Sequence, residues 1–108
     1  LVKSTDSDIG HILENIVYLE LLRRGYDVFV GDVGDGEVDF VAAKAKGIHY
    51  FQVAATTLDE ATLKRELATF RRLNDNYPKT ILTLDELFGE ADYEGVQKRN
   101  ILDWLMQK

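Results

Sequence analysis

Cysteine is absent from the 108 residues. This excludes disulfides and thiolate zinc sites and fits a reducing, cytoplasmic setting. Positive charge is scarce, 13 Lys and Arg against 19 Asp and Glu for a net charge of -6. The balance argues against a free-standing, high-affinity, non-specific nucleic-acid binder, because such binding runs on Lys and Arg neutralising phosphates. It does not argue against a nuclease, since an acidic metal centre lowers the net charge itself and a divalent ion offsets the repulsion. No stretch approaches the roughly 20 apolar residues of a membrane helix, and no charged-then-apolar leader opens the chain, so no membrane contact is expected. The first residue is Leu1 rather than Met, which reads as a piece of a longer protein. Apolar residues make up 45% of the chain, and the length suits one domain over 1–108 with a single core.

The stretch from Gly34 to Thr57 organises what is present. Glu37 and Asp39 alternate with Val38, Phe40 and Ala42, so a period of two puts the acids on one face of a strand and the apolar groups on the other. A second strand follows, with Phe51 and Val53 in one row and Tyr50, Gln52 and Ala54 in the other. Taking Ala45 and Lys46 as the hairpin loop sets Val38 opposite Val53, Phe40 opposite Phe51 and Asp39 opposite Gln52. A three-residue loop would slip the register by one and mix the faces.

Upstream, Asp8 to Arg24 reads as a long helix capped by Ser7 or Asp8 and stopped by Gly25. Ile9, Ile12, Leu13, Ile16 and Val17 form a wide apolar stripe, and Leu19, Leu21 and Leu22 carry it almost round the cylinder, which predicts cover on more than one side. Glu14 sits on the polar margin with His11 and Tyr18, whereas Glu20 stands at helical spacing from Arg23 and Arg24, as an ion-pair partner would. Tyr26 to Val33 reads as a strand and Gly34-Asp35-Gly36 as its turn.

A second helix, Asp59 to Leu73, buries Leu63, Leu67 and Phe70 with Glu66 beside them, and presents Arg65 and Arg72 on the far face with Thr62 and Thr69. That basic stripe is either a solvated face or a phosphate-backbone contact. Pro78 closes the turn cluster that begins at Asn74. Lys79 to Leu84 reads as an interior strand, Asp85 to Glu94 as an acidic, irregular and mobile segment, and Val96 to Arg99 as a last strand. Asn100 then caps a short helix in which Ile101, Leu102, Trp104 and Leu105 pack down, with Trp104 read as core rather than as a base-stacking platform.

An acid on one strand beside a polar residue on its neighbour, Asp39 and Gln52, resembles the metal site of the PD-(D/E)xK nuclease superfamily. The order α-β-β-β-α-β-β-α matches the α/β, restriction-endonuclease-like core of that superfamily, a mixed central sheet of four to five strands flanked by helices. Glu14, about three helical turns before Gly25-Tyr26, is similar in placement to the first-helix glutamate of archaeal Holliday-junction resolvases. The blocks ENIVYLELLRRGYDVFVG, EVDFVA, FQVA, DEATLKRE, NDNYPKTILTLDE and NILDWL resemble, over nearly the whole chain, the C-terminal domain of prokaryotic AAA-type ATPases.

That resemblance implies a nuclease-like domain carried by an N-terminal ATPase portion, with DNA and the ATPase as partners. It implies Mg2+, or Mn2+ in its place, held by Glu14, Glu37, Asp39 and Gln52, with Glu14, Asp39 and Gln52 catalytic and Arg65 and Arg72 contacting nucleic acid. The superfamily's second strand usually ends in acid, any residue, lysine. Here it reads Gln52, Val53, Ala54, so the acid is an amide and the lysine is missing. Lys64 or Arg65 is the candidate substitute from the second helix. Losing a charge aimed at the transition state typically costs ~10²–10³ in rate. The expectation is therefore a degenerate nuclease with at most weak Mg-dependent phosphodiesterase activity, or a non-catalytic DNA- or protein-binding module.

Overall fold

The computed structural model describes residues 6–34 and 36–107, and of Asp6 and Ser7 only the backbone. A six-stranded mixed sheet is flanked by three helices in the order α1 (Asp6–Arg23), β1 (Asp27–Asp32), β2 (Glu37–Lys44), β3 (Gly47–Val53), α2 (Glu60–Arg71), β4 (Lys79–Thr83), β5 (Ala91–Tyr93), β6 (Val96–Asn100) and α3 (Ile101–Met106). Across the sheet the strands run β1-β2-β3-β4-β6-β5. β3, β4 and β6 are parallel neighbours, and the two outer pairs are antiparallel. The α/β class is as expected, with one strand more than the four to five read from the sequence.

Two apolar layers sandwich the sheet. Leu13, Val17 and Leu21 of α1 pack with Phe51, Val53, Leu82, Ile101 and Trp104 on one face. Leu67 and Phe70 of α2 pack with Val38, Tyr50, Ile81 and Val96 on the other. The central strands β3 and β4 are buried from both sides, which is why KTILT shows no alternation of apolar and polar residues.

Helix α1 starts at Asp6, so Ser7 and Asp8 lie inside it rather than capping it. Its C-terminus is a Schellman turn with Gly25 at φ 89: the Gly25 N–H donates to the Leu22 carbonyl and the Tyr26 N–H to that of Leu21. Only one side of α1 is covered. Ile12, Ile16, Leu19 and Leu22 are exposed, contrary to the near-complete cover their apolar character predicts. The Glu20 ion pairs are present: Arg23 and Arg24 both donate to its carboxylate, which, by those bonds first, is held down at about 2. Arg24 also reaches the Trp104 and Gln107 carbonyls and tethers α3.

The hairpin register holds, with Ala45 and Lys46 in the loop, Lys44 paired with Gly47 and Phe40 with Phe51. The alternation along β2 does not. Opposite Phe29 to Gly31, three steps of β2 match two of β1, and this bulge turns Val38 to the α2 side while Phe40 and Ala42 stay on the α1 side. Val38 therefore does not share a row with Phe40. Gly31 permits the bulge, because a Cβ there would lie 2.9 Å from Val41 Cγ2 and 3.1 Å from Val38 Cβ. Asp35, the middle of the expected Gly34-Asp35-Gly36 turn, lies outside the described residues.

Within the segment expected to be irregular, residues 86–90 form no helix or strand, while its two ends are built in. Asp85 is buried, and Ala91–Tyr93 forms β5 against β6 through a two-residue turn, Glu94 at φ 53 and Gly95 at φ 91. Asn100 caps α3 as expected, accepting from the Leu102 and Asp103 N–H groups, but Leu102 is exposed rather than packed. Trp104 is core. No helix among the described residues is long and apolar enough to cross a membrane.

Candidate functional site

A cleft of about 360 Å³ opens where β3 ends, between the N-terminal halves of α1 and of α2. Such crevices outside the carboxyl ends of parallel strands are where open α/β sheets bind ligands. Its floor is Val53 to Thr56, one wall carries His11 and Glu14, and the other carries Thr62, Arg65 and Glu66.

Beside it, the β2–β3 ladder stops at Phe40 and Phe51, and two side chains continue it. The Asp39 N–H donates to Gln52 Oε1 at 2.6 Å, and the Val53 N–H donates to Asp39 Oδ2 at 2.8 Å. The bulge explains the substitution: with backbone groups out of register, each strand's orphan N–H needs another acceptor, and the acid and the amide supply them. Gln52 is 3% exposed, so its amide oxygen belongs to this fastening.

Burial first, then the charges of Glu14 and Glu37, raise the Asp39 carboxyl to about 6 against the pull of the Val53 N–H. Glu66 is raised to about 7, again by burial first, then by Asp39 and, less, by Glu14, with Arg65 opposing. Asp39, Glu66 and Glu14 thus form one electrostatically coupled group. Glu66 is the member that sequence reading passed over; an acid within the Leu63, Leu67 and Phe70 stripe of α2 was the available signal.

The structure joins Asp39 to Gln52 through a hydrogen bond and places Glu14 on the cleft wall with Arg65 and Glu66. Glu37 stands exposed at the start of β2, outside the cleft lining, and acts on Asp39 through its charge. Arg65 is on the cleft wall, whereas Arg72 is the C-terminal cap of α2, away from the cleft lining. Lys64 is paired with Glu60 at 3.0 Å on the exposed face. Among the described residues no three His, Asp or Glu side chains are placed to hold a metal ion. The predicted set Glu14, Glu37, Asp39 and Gln52 is therefore not assembled as an ion shell, because Gln52 Oε1 and Asp39 Oδ2 face main-chain N–H groups.

No protein-family model and no solved structure matches the chain. Among curated proteins it is similar to an uncharacterized protein of Haemophilus influenzae (strain Rd), with 41% identity over 95 residues that cover 88% of this chain. The chain spans 23% of that relative's length.

The raised carboxyls give the site a pH signature. Between about 4.5 and 7 the folded state holds the Glu66 proton that the unfolded chain releases, and between about 3.8 and 6 it does the same for Asp39. Both make stability fall as pH rises. His49 opposes them. Half-buried on β3, and lowered by that burial and then by Arg99, it protonates only near 4 when folded against 6.5 when unfolded, so stability rises with pH across that window. With about 1.4 kcal/mol per unit, the carboxyls win by on the order of 2 kcal/mol between pH 5 and pH 8. Urea denaturation should show this loss in the wild type, and Glu66→Gln should abolish it, because the His49 gain then at least matches the Asp39 loss. A loss of equal size in the variant would mean that Glu66 does not carry the effect.

Proposed function

We propose that this chain is a degenerate, restriction-endonuclease-like domain of a longer, ATPase-type polypeptide, acting in the cytoplasm as a non-catalytic binding module. The observation that carries the reading is the use of the Asp39 carboxylate and the Gln52 amide oxygen as acceptors for main-chain N–H groups, those of Val53 and of Asp39. In a working PD-(D/E)xK centre those two positions would hold magnesium, which activates water for attack on a phosphodiester; here they fasten two strands. Ala54 stands where the lysine would be, and Arg65, the cationic group on the cleft, comes from α2 with a carboxylate next to it in sequence. These residues do not fit a magnesium centre, which needs oxygen donors in near-ideal octahedral geometry. The greater length of the Haemophilus influenzae relative supports a domain carried within a larger protein.

Calorimetric titration with Mg2+ and Mn2+, beside a cleavage assay on single- and double-stranded DNA, tests this. The expected result is no cutting with either ion and the same flat trace for wild type and Asp39→Ala. Mn2+-dependent cutting by the wild type that is lost in both Asp39→Ala and Glu14→Ala would overturn the non-catalytic reading.

A further inference from the structure

Beyond β4 the chain makes a tight turn that presents two apolar side chains to solvent, Leu87 and Phe88, 64% and 69% exposed. Phe88 sits at φ 51, a backbone region that bulky residues rarely adopt and that persists only where the surroundings enforce it. The enforcement is visible at both ends of the turn. A Cβ on Gly89 would lie 2.7 Å from the Asp85 carbonyl oxygen. Asp85 itself is fixed by Lys98, by the Thr57 N–H and, through its carbonyl, by the Asn100 amide. The tip is therefore held rather than loose.

Flanking it in sequence stand Glu86 and Glu90, both exposed. An acidic flank repels nucleic acid and anionic lipid surfaces and fits an apolar pocket with a cationic rim. The chain carries one at the other end of its parallel strands. A cleft of about 400 Å³, where β3 and β4 begin, is lined by Tyr26, Ile48, Tyr77 and Pro78 with Lys44 and Lys46, the Lys44 ammonium 4.0 Å from the Tyr26 ring centroid.

We propose that the Leu87–Phe88 tip of one copy docks in the Lys44–Lys46 cleft of a second copy. Tip and cleft lie at opposite ends of the sheet, so the contact is head-to-tail and joins unlike surfaces. Sedimentation over a concentration series, at low and high salt, should show salt-sensitive self-association of the wild type. Phe88→Asp should raise its dissociation constant roughly tenfold or more, as should Phe88→Gly, which removes the ring while relaxing the positive φ. Lys44→Glu combined with Lys46→Glu should do the same. Mixing the Phe88→Asp chain with the doubly substituted chain should restore a dimer, because each supplies the half that the other lacks. A wild type that stays monomeric throughout, association that survives loss of Phe88, or a mixture that fails to pair would each overturn the proposal. None of these outcomes depends on whether the acidic cleft binds metal.

Discussion

Replacing Lys98 by alanine should destabilise the fold by about 3–5 kcal/mol, the usual cost of orphaning one member of a buried ion pair. Lys98 Nζ lies 2.8 Å from Asp85 Oδ2, with side chains only 1% and 4% exposed. Burial pushes the Asp85 carboxyl up, but the Lys98 ammonium, with the threonines at 56 and 57, outweighs it and holds the group below its ordinary range. Folded-state stability from this carboxylate is therefore present above the unfolded value near 3.8 and is lost as pH falls through the lower folded one. Without Lys98 the sign reverses, since the lone buried acid would rather hold its proton. The deficit of the variant should accordingly shrink as the pH is lowered, and urea titrations at pH 7 and pH 4.5 measure both quantities. A double replacement, Lys98→Met with Asp85→Leu, should recover most of the loss, because apolar side chains of similar volume pack without the desolvation cost of two charges. A single variant as stable as the wild type at pH 7 would show that the pair is not held as described.

Trp104→Ala should cost a comparable ~3–5 kcal/mol, the range for truncating a buried large aromatic. Trp104 is 3% exposed, with its ring centroid 5.6 Å from that of Phe51 and the Arg24 guanidinium over the ring, 4.3 Å from the centroid. Helix α3 has six residues, too few to be stable alone, so its attachment rests on Ile101, on this ring and on the Asn100 cap. Loss of the ring should free α3 first. Far-ultraviolet dichroism and amide exchange at Ile101 to Met106 should therefore change before the β2–β3 fastening does. Simultaneous loss of protection at Asp39 and Val53 would mean that the two halves of the sheet do not open separately.

Much of this was legible in the residues. Apolar spacing placed all three helices, the Ala45-Lys46 loop fixed the hairpin register, and KTILT was recognisable as a central strand. Three features escaped because each depends on a neighbour distant in sequence. The bulge at Asp39 arises where Gly31 lets Val38 and Val41 crowd against β1, which the pattern of β2 alone does not show. Asp85 looked like part of a solvated acidic run because its counter-ion, Lys98, sits on another strand. The outer face of α1 looked buried because Ile12, Ile16 and Leu19 are apolar, yet among the described residues no element covers them. At the candidate site, the neighbourhood of Asp39 and Gln52 was legible from the hairpin register. Their use was not, since an amide on a strand reads equally as a ligand or as an acceptor for a main-chain N–H.

The strand order has a bearing on synthesis. β4 occupies the middle of the sheet, and one of its two neighbours is β6, residues Val96–Asn100. Until Val96–Asn100 has emerged from the ribosome, the nascent sheet ends on an open flank of Ile81 and Leu82. The sheet can be completed only after those strand residues have cleared the exit tunnel, and the uncovered flank is the kind of surface on which partly made domains aggregate.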